Sequence, residues 1–114
     1  MTHPESILPK KLNLGSGKSF KPDHLNVDIN AMWRPDICAD MSMADLFGRE
    51  FESERFGSFR IPAGHFDEIT ATDVLEHVPD LISLMTNCIN LLRDGGVLRV
   101  LVPFDLSYGA WQER

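Results

Sequence analysis

The residues with the clearest chemical potential lie near the start of the chain. Leu12-Asn13-Leu14 has the look of a short strand and stops at Gly15-Ser16-Gly17. Asp28 follows at the end of a second such run, Leu25-Asn26-Val27. A Gly-x-Gly bend lets backbone approach a ligand closely, because no Cβ stands in the way. A carboxylate at the carboxyl end of the next strand can accept both hydroxyl protons of a ribose, and ligands of open parallel sheets sit beyond those strand ends. Together the bend and Asp28 point to a nucleoside. Taken singly, each has a plainer use: the bend as a turn with no ligand, and Asp28 as a strand end or turn cap.

Other chemistries fit less well. Gly17-Lys18-Ser19 ends like a phosphate-binding loop, but that motif needs a glycine where Leu12 stands. A dinucleotide site needs a third glycine and a helix whose N-terminus faces the pyrophosphate, and neither is readable here. Cys38 and Cys88 are far apart and form no CxxC pair, which argues against zinc or a redox motif and for reduced, buried thiols. Trp33 and Trp111 suit packing better than a substrate platform.

The elements that must position these residues follow from the apolar pattern. Strands are expected at residues 11–14, 25–29, 36–40, 66–72 and 97–102. Only seven residues, one of them Pro22, separate Gly17 from Leu25, too few for an ordinary crossover helix. A short helix is expected from Ser42 as its N-cap, with Leu46 and Phe47 facing inward, and residues 48–65 read as loop. The strongest helix signal begins at Pro79, suited to a first turn. Leu81, Leu84, Met85, Cys88, Ile89 and Leu92 then form one stripe, and Gly95-Gly96 supply the stop. The run from Val97 to Val102 is almost wholly apolar, as in a strand covered on both faces. Strands alternating with a helix imply an α/β fold with a parallel sheet.

The 114 residues allow one domain, expected as a leader over 1–10 followed by a domain over 11–114. Hydrophobic residues at 43% and charged residues at 25% exclude a disordered chain. A net charge of -6 disfavours a nucleic-acid partner. The apolar run ending at Phe104 is broken by Arg99 and Pro103 and is too short to span a bilayer. The first eleven residues have no apolar core of the kind a signal peptide needs, so the expected location is cytoplasmic.

Several of these segments, taken in order, resemble the successive motifs of class I S-adenosylmethionine-dependent methyltransferases. They are Leu12-Asn13-Leu14-Gly15-Ser16-Gly17, Asn26-Val27-Asp28, Ala39-Asp40-Met41, the run from Phe66 to Val78 containing Val74-Leu75-Glu76-His77, and the run from Leu91 to Leu98 containing Gly95-Gly96. The resemblance spans about residues 11–104 and is nearest to the branch with a very short first crossover. It implies a Rossmann-like sheet and S-adenosylmethionine as cofactor. Gly15, Ser16 and Gly17 would line the methionine and ribose side, and Asp28 would take the ribose hydroxyls. Asp40 would accept from the adenine amino group, with the backbone of Met41 beside it. Thr72 and Asp73 would flank the methionine chain and the sulfonium. The sequence departs from the family pattern in lacking the third glycine, in holding Asn13 where an acidic residue is common, and in its reduced first crossover.

Methyl transfer from a sulfonium is an in-line displacement, so holding donor and acceptor aligned is the main task. A hydroxyl acceptor would gain from a general base, for which His77 ranks first, followed by Asp73 and Asp105. The acceptor is expected to be a small molecule or a sugar. Asp40 also fits an N-cap role, Asp73 a solvated charge, and His77 a loop-orienting one. The family's sheet carries two further strands beyond the fifth, which this sequence does not supply. A further C-terminal segment or a second copy is therefore expected to cover the fifth-strand edge. Cofactor binding without turnover, or an interaction role, are the competing functions.

Overall fold

A computed structural model describes residues 8–17, 19–44, 46–72 and 81–101. Its centre is a five-stranded sheet built from β1 (Lys11–Leu14), β2 (Leu25–Asp28), β3 (Ile37–Cys38), β6 (Phe66–Thr72) and β7 (Leu92–Leu101). The spatial order is β3-β2-β1-β6-β7, and every neighbouring pair is parallel. A separate antiparallel hairpin joins β4 (Glu50–Ser53) to β5 (Gly57–Arg60), and helix α1 (Leu81–Leu91) precedes β7. The order reverses at β1, with β2 on one side and β6 on the other. That makes the space beyond the carboxyl end of β1 the switch point, where open α/β sheets bind ligands.

Period-two alternation assigns the faces. Leu12 and Leu14 pair with Leu25 and Val27 on one side and with Ile69 and Ala71 on the other. These side chains form one apolar face, and they share a buried core with Leu84, Cys88 and Leu91 of α1 and with Phe51 and Phe59 of the hairpin. The opposite face carries Asn13, paired with Asn26 and Thr70, all buried. Toward the β7 edge it becomes charged, with Arg99 donating to Glu68 at 3.1 Å. Among the described residues, no helix is long and apolar enough to cross a membrane.

Several expectations are corrected. Residues 48–65 are not loop: Phe51 and Phe59 point inward from facing strands, 6.2 Å apart, and Gly57 at φ +71° closes the turn. Among the described residues, no α-helix follows Ser42, where one was expected. Asp40 holds a turn there, and a single 3-10 turn, Leu46–Gly48, puts Leu46 into the core. β2 stops at Asp28, and β3 keeps only two residues. α1 is described from Leu81, so the expected start at Pro79 lies outside the described residues.

Gly95-Gly96 does not end α1. The chain enters β7 at Leu92, and Gly64 and His65 donate to the last helix carbonyls, Asn90 O and Leu91 O, at 2.8 and 2.9 Å. The glycines instead serve a bulge within β7. Leu92 pairs with Phe66 and Val97 pairs with Glu68, so the four residues 93–96 stand opposite the single Asp67. A Cβ on Gly96 would lie 3.0 and 3.1 Å from the carbonyl oxygens of Arg93 and Phe66. Ile89 lies 65% exposed rather than on the inner stripe, because Leu84, Cys88 and Leu91 take that face. Val97 and Val100 are also exposed, so β7 is not covered on both faces. Of the expected leader, Leu8 is buried, and the Pro9 and Lys10 carbonyls bond to His65 and Asp67.

Candidate functional site

At the end of β1 the backbone turns back on β2. The Gly15 and Ser16 amides both donate to Val27 O, at 2.8 and 3.1 Å. Gly15 and Gly17 have φ of +67° and +47°, which disfavours any side chain at either position. The bend thereby brings the Gly17 amide to Asp28, donating to Oδ2 at 2.8 Å. The Asn30 amide donates to Oδ1 at the same distance. Both carboxylate oxygens are held by backbone, and each retains acceptor capacity. The carboxylate is half-buried at the switch point.

Asp40 and Met41 lie beyond the end of β3. Asp40 Oδ1 accepts the Ser42 amide at 2.9 Å and the Ser42 hydroxyl at 2.7 Å. Asp40 is thus a turn-holding residue in its own right, with Oδ2 taking no bond among the described residues. Met41 is buried, and its carbonyl accepts Asn87 Nδ2 of α1 at 2.8 Å. Next to Asp40 a cleft of about 560 Å³ opens between the end of β3 and strand β4, with Cys38, Arg49 and Glu52 also on its walls. Thr72 closes β6 in register with Leu101. Asp73, His77, Asp105 and Trp111 lie outside the described residues. Trp33 sits on a one-turn 3-10 helix after β2 and is partly exposed, not a core anchor.

The structure adds residues that sequence reading missed. The connection over residues 19–24 has no helix to satisfy its backbone, so side chains do so. Asn13 Nδ2 donates to Ser19 O at 3.0 Å, and Asn26 Nδ2 donates to Lys21 O at 2.9 Å and His24 O at 3.1 Å. Asn26 Oδ1 accepts both the Lys21 amide and Asn13 Nδ2, each at 2.9 Å. From the hairpin turn, Arg55 donates to Pro22 O at 2.8 Å and His24 O at 2.7 Å. It also grips Asp36 with two parallel bonds of 2.8 Å. Its guanidinium lies over the Phe20 ring (4.9 Å) and the Phe56 ring (4.6 Å).

Asp36 completes this network by accepting the Asn26 amide at 2.8 Å. Burial pushes the Asp36 carboxyl up, but the bonds from Arg55 and Asn26, with the Arg55 charge, outweigh burial and hold it below the usual value. The one hint in the sequence was Asn13 and Asn26, both polar at the middle of apolar strand segments.

A parallel sheet with a glycine bend and an acidic residue at its switch point defines a Rossmann-like α/β domain. The sequence is more particular. A family model described as a methyltransferase domain matches residues 15–113. The chain belongs to that family, within the class I S-adenosylmethionine-dependent methyltransferases. Among curated proteins it is similar to a ubiquinone biosynthesis O-methyltransferase of Xanthomonas campestris pv. campestris (strain B100), 46% identical over 35 residues. A protein of the same description from Xanthomonas axonopodis pv. citri (strain 306) is 47% identical over 36 residues. The two matches cover 31% and 32% of this chain and 15% of each relative. No solved structure matches.

Proposed function

We propose that this chain binds S-adenosylmethionine beyond the carboxyl ends of β1, β2 and β3, and that the methyl group passes to a hydroxyl of a small molecule or sugar. The observation that carries the reading is the approach of Gly17 N to Asp28 Oδ2. It sets a bare backbone bend and a half-exposed carboxylate side by side at the switch point. The residues present suit an adenosyl group in other ways. The Ser16 hydroxyl is buried in the bend and finds no partner among the described residues, an unmet donor of the kind a ligand satisfies. A Cβ on Gly17 would meet nothing nearer than 3.9 Å, so the bend leaves room for a close approach.

In this reading Asp28 accepts from the ribose diol with the lone pairs its two backbone bonds leave over. Asp40 accepts from the adenine amino group through Oδ2. Ser16 donates to the methionine end. When bound, the cofactor supplies an electrophilic methyl on a positive sulfur. The chain's own contribution is alignment and the exclusion of water. His77 is the proposed base for the hydroxyl, with Asp73 beside the sulfonium. The hydroxyl acceptor is supported by the relatives described as O-methyltransferases. Calorimetry with S-adenosylhomocysteine tests the site: micromolar binding, weakened in Asp28→Asn, is expected. No heat and no thermal shift would refute it. Transfer of a labelled methyl to hydroxylated small molecules tests the acceptor, and label appearing only on amines or thiols would overturn it.

A further inference from the structure

We propose that Arg55, on the hairpin turn, is a positioning residue for the nucleoside site: it sets where the Gly15-Ser16-Gly17 bend stands relative to Asp28. This rests on the reading that the bend and Asp28 hold the adenosyl group. Arg55 is far from both in sequence, and its hydrogen bonds go to Pro22, His24 and Asp36 rather than to either. Its effect passes through a continuous series of bonds. Arg55 pairs with Asp36, and Asp36 accepts from both the backbone and the side chain of Asn26. Asn26 accepts from Asn13, Asn13 donates to Ser19 O, and the Ser19 amide returns to Ser16 O at 2.7 Å inside the bend.

The hairpin is suited to act as the fixed end. Phe51 and Phe59 bury its inner side in the core beside Ile61. The opposite end, residues 19–24, has no secondary structure of its own. A rigid element therefore holds an irregular one. Arginine is required and lysine is not equivalent, because the fork must serve two carboxylate oxygens and two carbonyls while its plane stacks on Phe20. The same hairpin supplies one wall of the cleft beside Asp40. One rigid body thus adjoins the adenine side of the proposed site and governs its ribose side.

The test compares the wild-type chain with Arg55→Lys and Phe20→Leu, the second because Phe20 is exposed and its loss spares the ion pair. S-adenosylhomocysteine affinity is read by calorimetry, and amide hydrogen exchange is followed at Gly17, Lys21, Phe51 and Phe59. Arg55→Lys should bind about tenfold more weakly. It should also lose protection at Gly17 and Lys21 while keeping it at Phe51 and Phe59. Phe20→Leu should change both in the same direction by a smaller factor. A purely structural role would lower protection at all four amides together, and that result overturns the proposal. So does Arg55→Lys with wild-type affinity. If the wild-type chain binds no S-adenosylhomocysteine, the cofactor reading fails. Exchange at Gly17 and Lys21 then decides alone whether Arg55 fixes the bend.

Discussion

Asn26→Asp replaces one buried side chain by its isostere and should convert the centre of the polar network into a pH-sensitive fault. Asn26 is fully buried. Its Nδ2 donates to Lys21 O, His24 O and Asp36 Oδ2, the last at 3.1 Å. An aspartate places a carboxylate oxygen where that donor stood, facing a second carboxylate. Burial and the like charge both raise the new carboxyl's pKa, by about 3 units at such sites. At about 1.4 kcal/mol per unit this is about 4 kcal/mol at pH 7. The neutral acid recovers one donor but not both, which adds about 1 kcal/mol. The sum, about 5 kcal/mol, is comparable to the whole stability of many domains.

Between the ordinary carboxyl value and the raised one, the folded variant holds one more proton than the unfolded chain, so its stability increases as pH falls. Urea unfolding followed by circular dichroism at steps from pH 7.5 to 4.5 should show the variant regaining about 1.4 kcal/mol per unit. The wild type has the opposite tendency. Its lowered Asp36 contributes stability above about pH 4 and loses it as pH drops further. Parallel pH profiles for the two proteins, or a cost under about 1 kcal/mol at pH 7, would refute the network as described.

Three further outcomes are expected. Asp28→Asn should weaken S-adenosylhomocysteine binding by about 1.5–3 kcal/mol, the range for bonds to a charged group; calorimetry giving unchanged affinity removes Asp28 from the site. Gly96→Ala should destabilise by about 1–3 kcal/mol, because the added methyl crowds two carbonyl oxygens that belong to the backbone; an unchanged urea midpoint would contradict the bulge geometry. In thiol labelling, Cys38 should react in the native protein, since it is exposed, and Cys88 only after unfolding. Burial pushes the Cys88 thiol up to about 11, and equal native rates would show the core contacts of α1 to be wrong.

Strand composition made the sheet legible. Leu12-Asn13-Leu14 and Leu25-Asn26-Val27 alternate cleanly, so both the strands and their apolar faces could be read, and β6 emerged with its bounds intact. The convergence of Gly17 and Asp28 was likewise readable, because parallel neighbours of similar length end at the same edge. The hairpin was not. Its inward positions, Phe51 and Phe59, are single aromatics among charged residues, and burial of β4 depends on a partner strand that no local pattern announces. The bulge in β7 was missed because two glycines after a helix ordinarily stop it, whereas here backbone from residues 64 and 65 caps the helix. Arg55 and Asp36 are 19 residues apart and meet only through the folded hairpin, beyond any spacing rule.

Connections at a protein surface ordinarily absorb insertions and deletions with little harm. The link between the glycine bend and β2 should not. Its carbonyls at positions 19, 21, 22 and 24 are each read by a side chain anchored elsewhere, so adding one residue would shift every acceptor past its donor. Its length is as constrained as the spacing of a heptad, although much of it faces water.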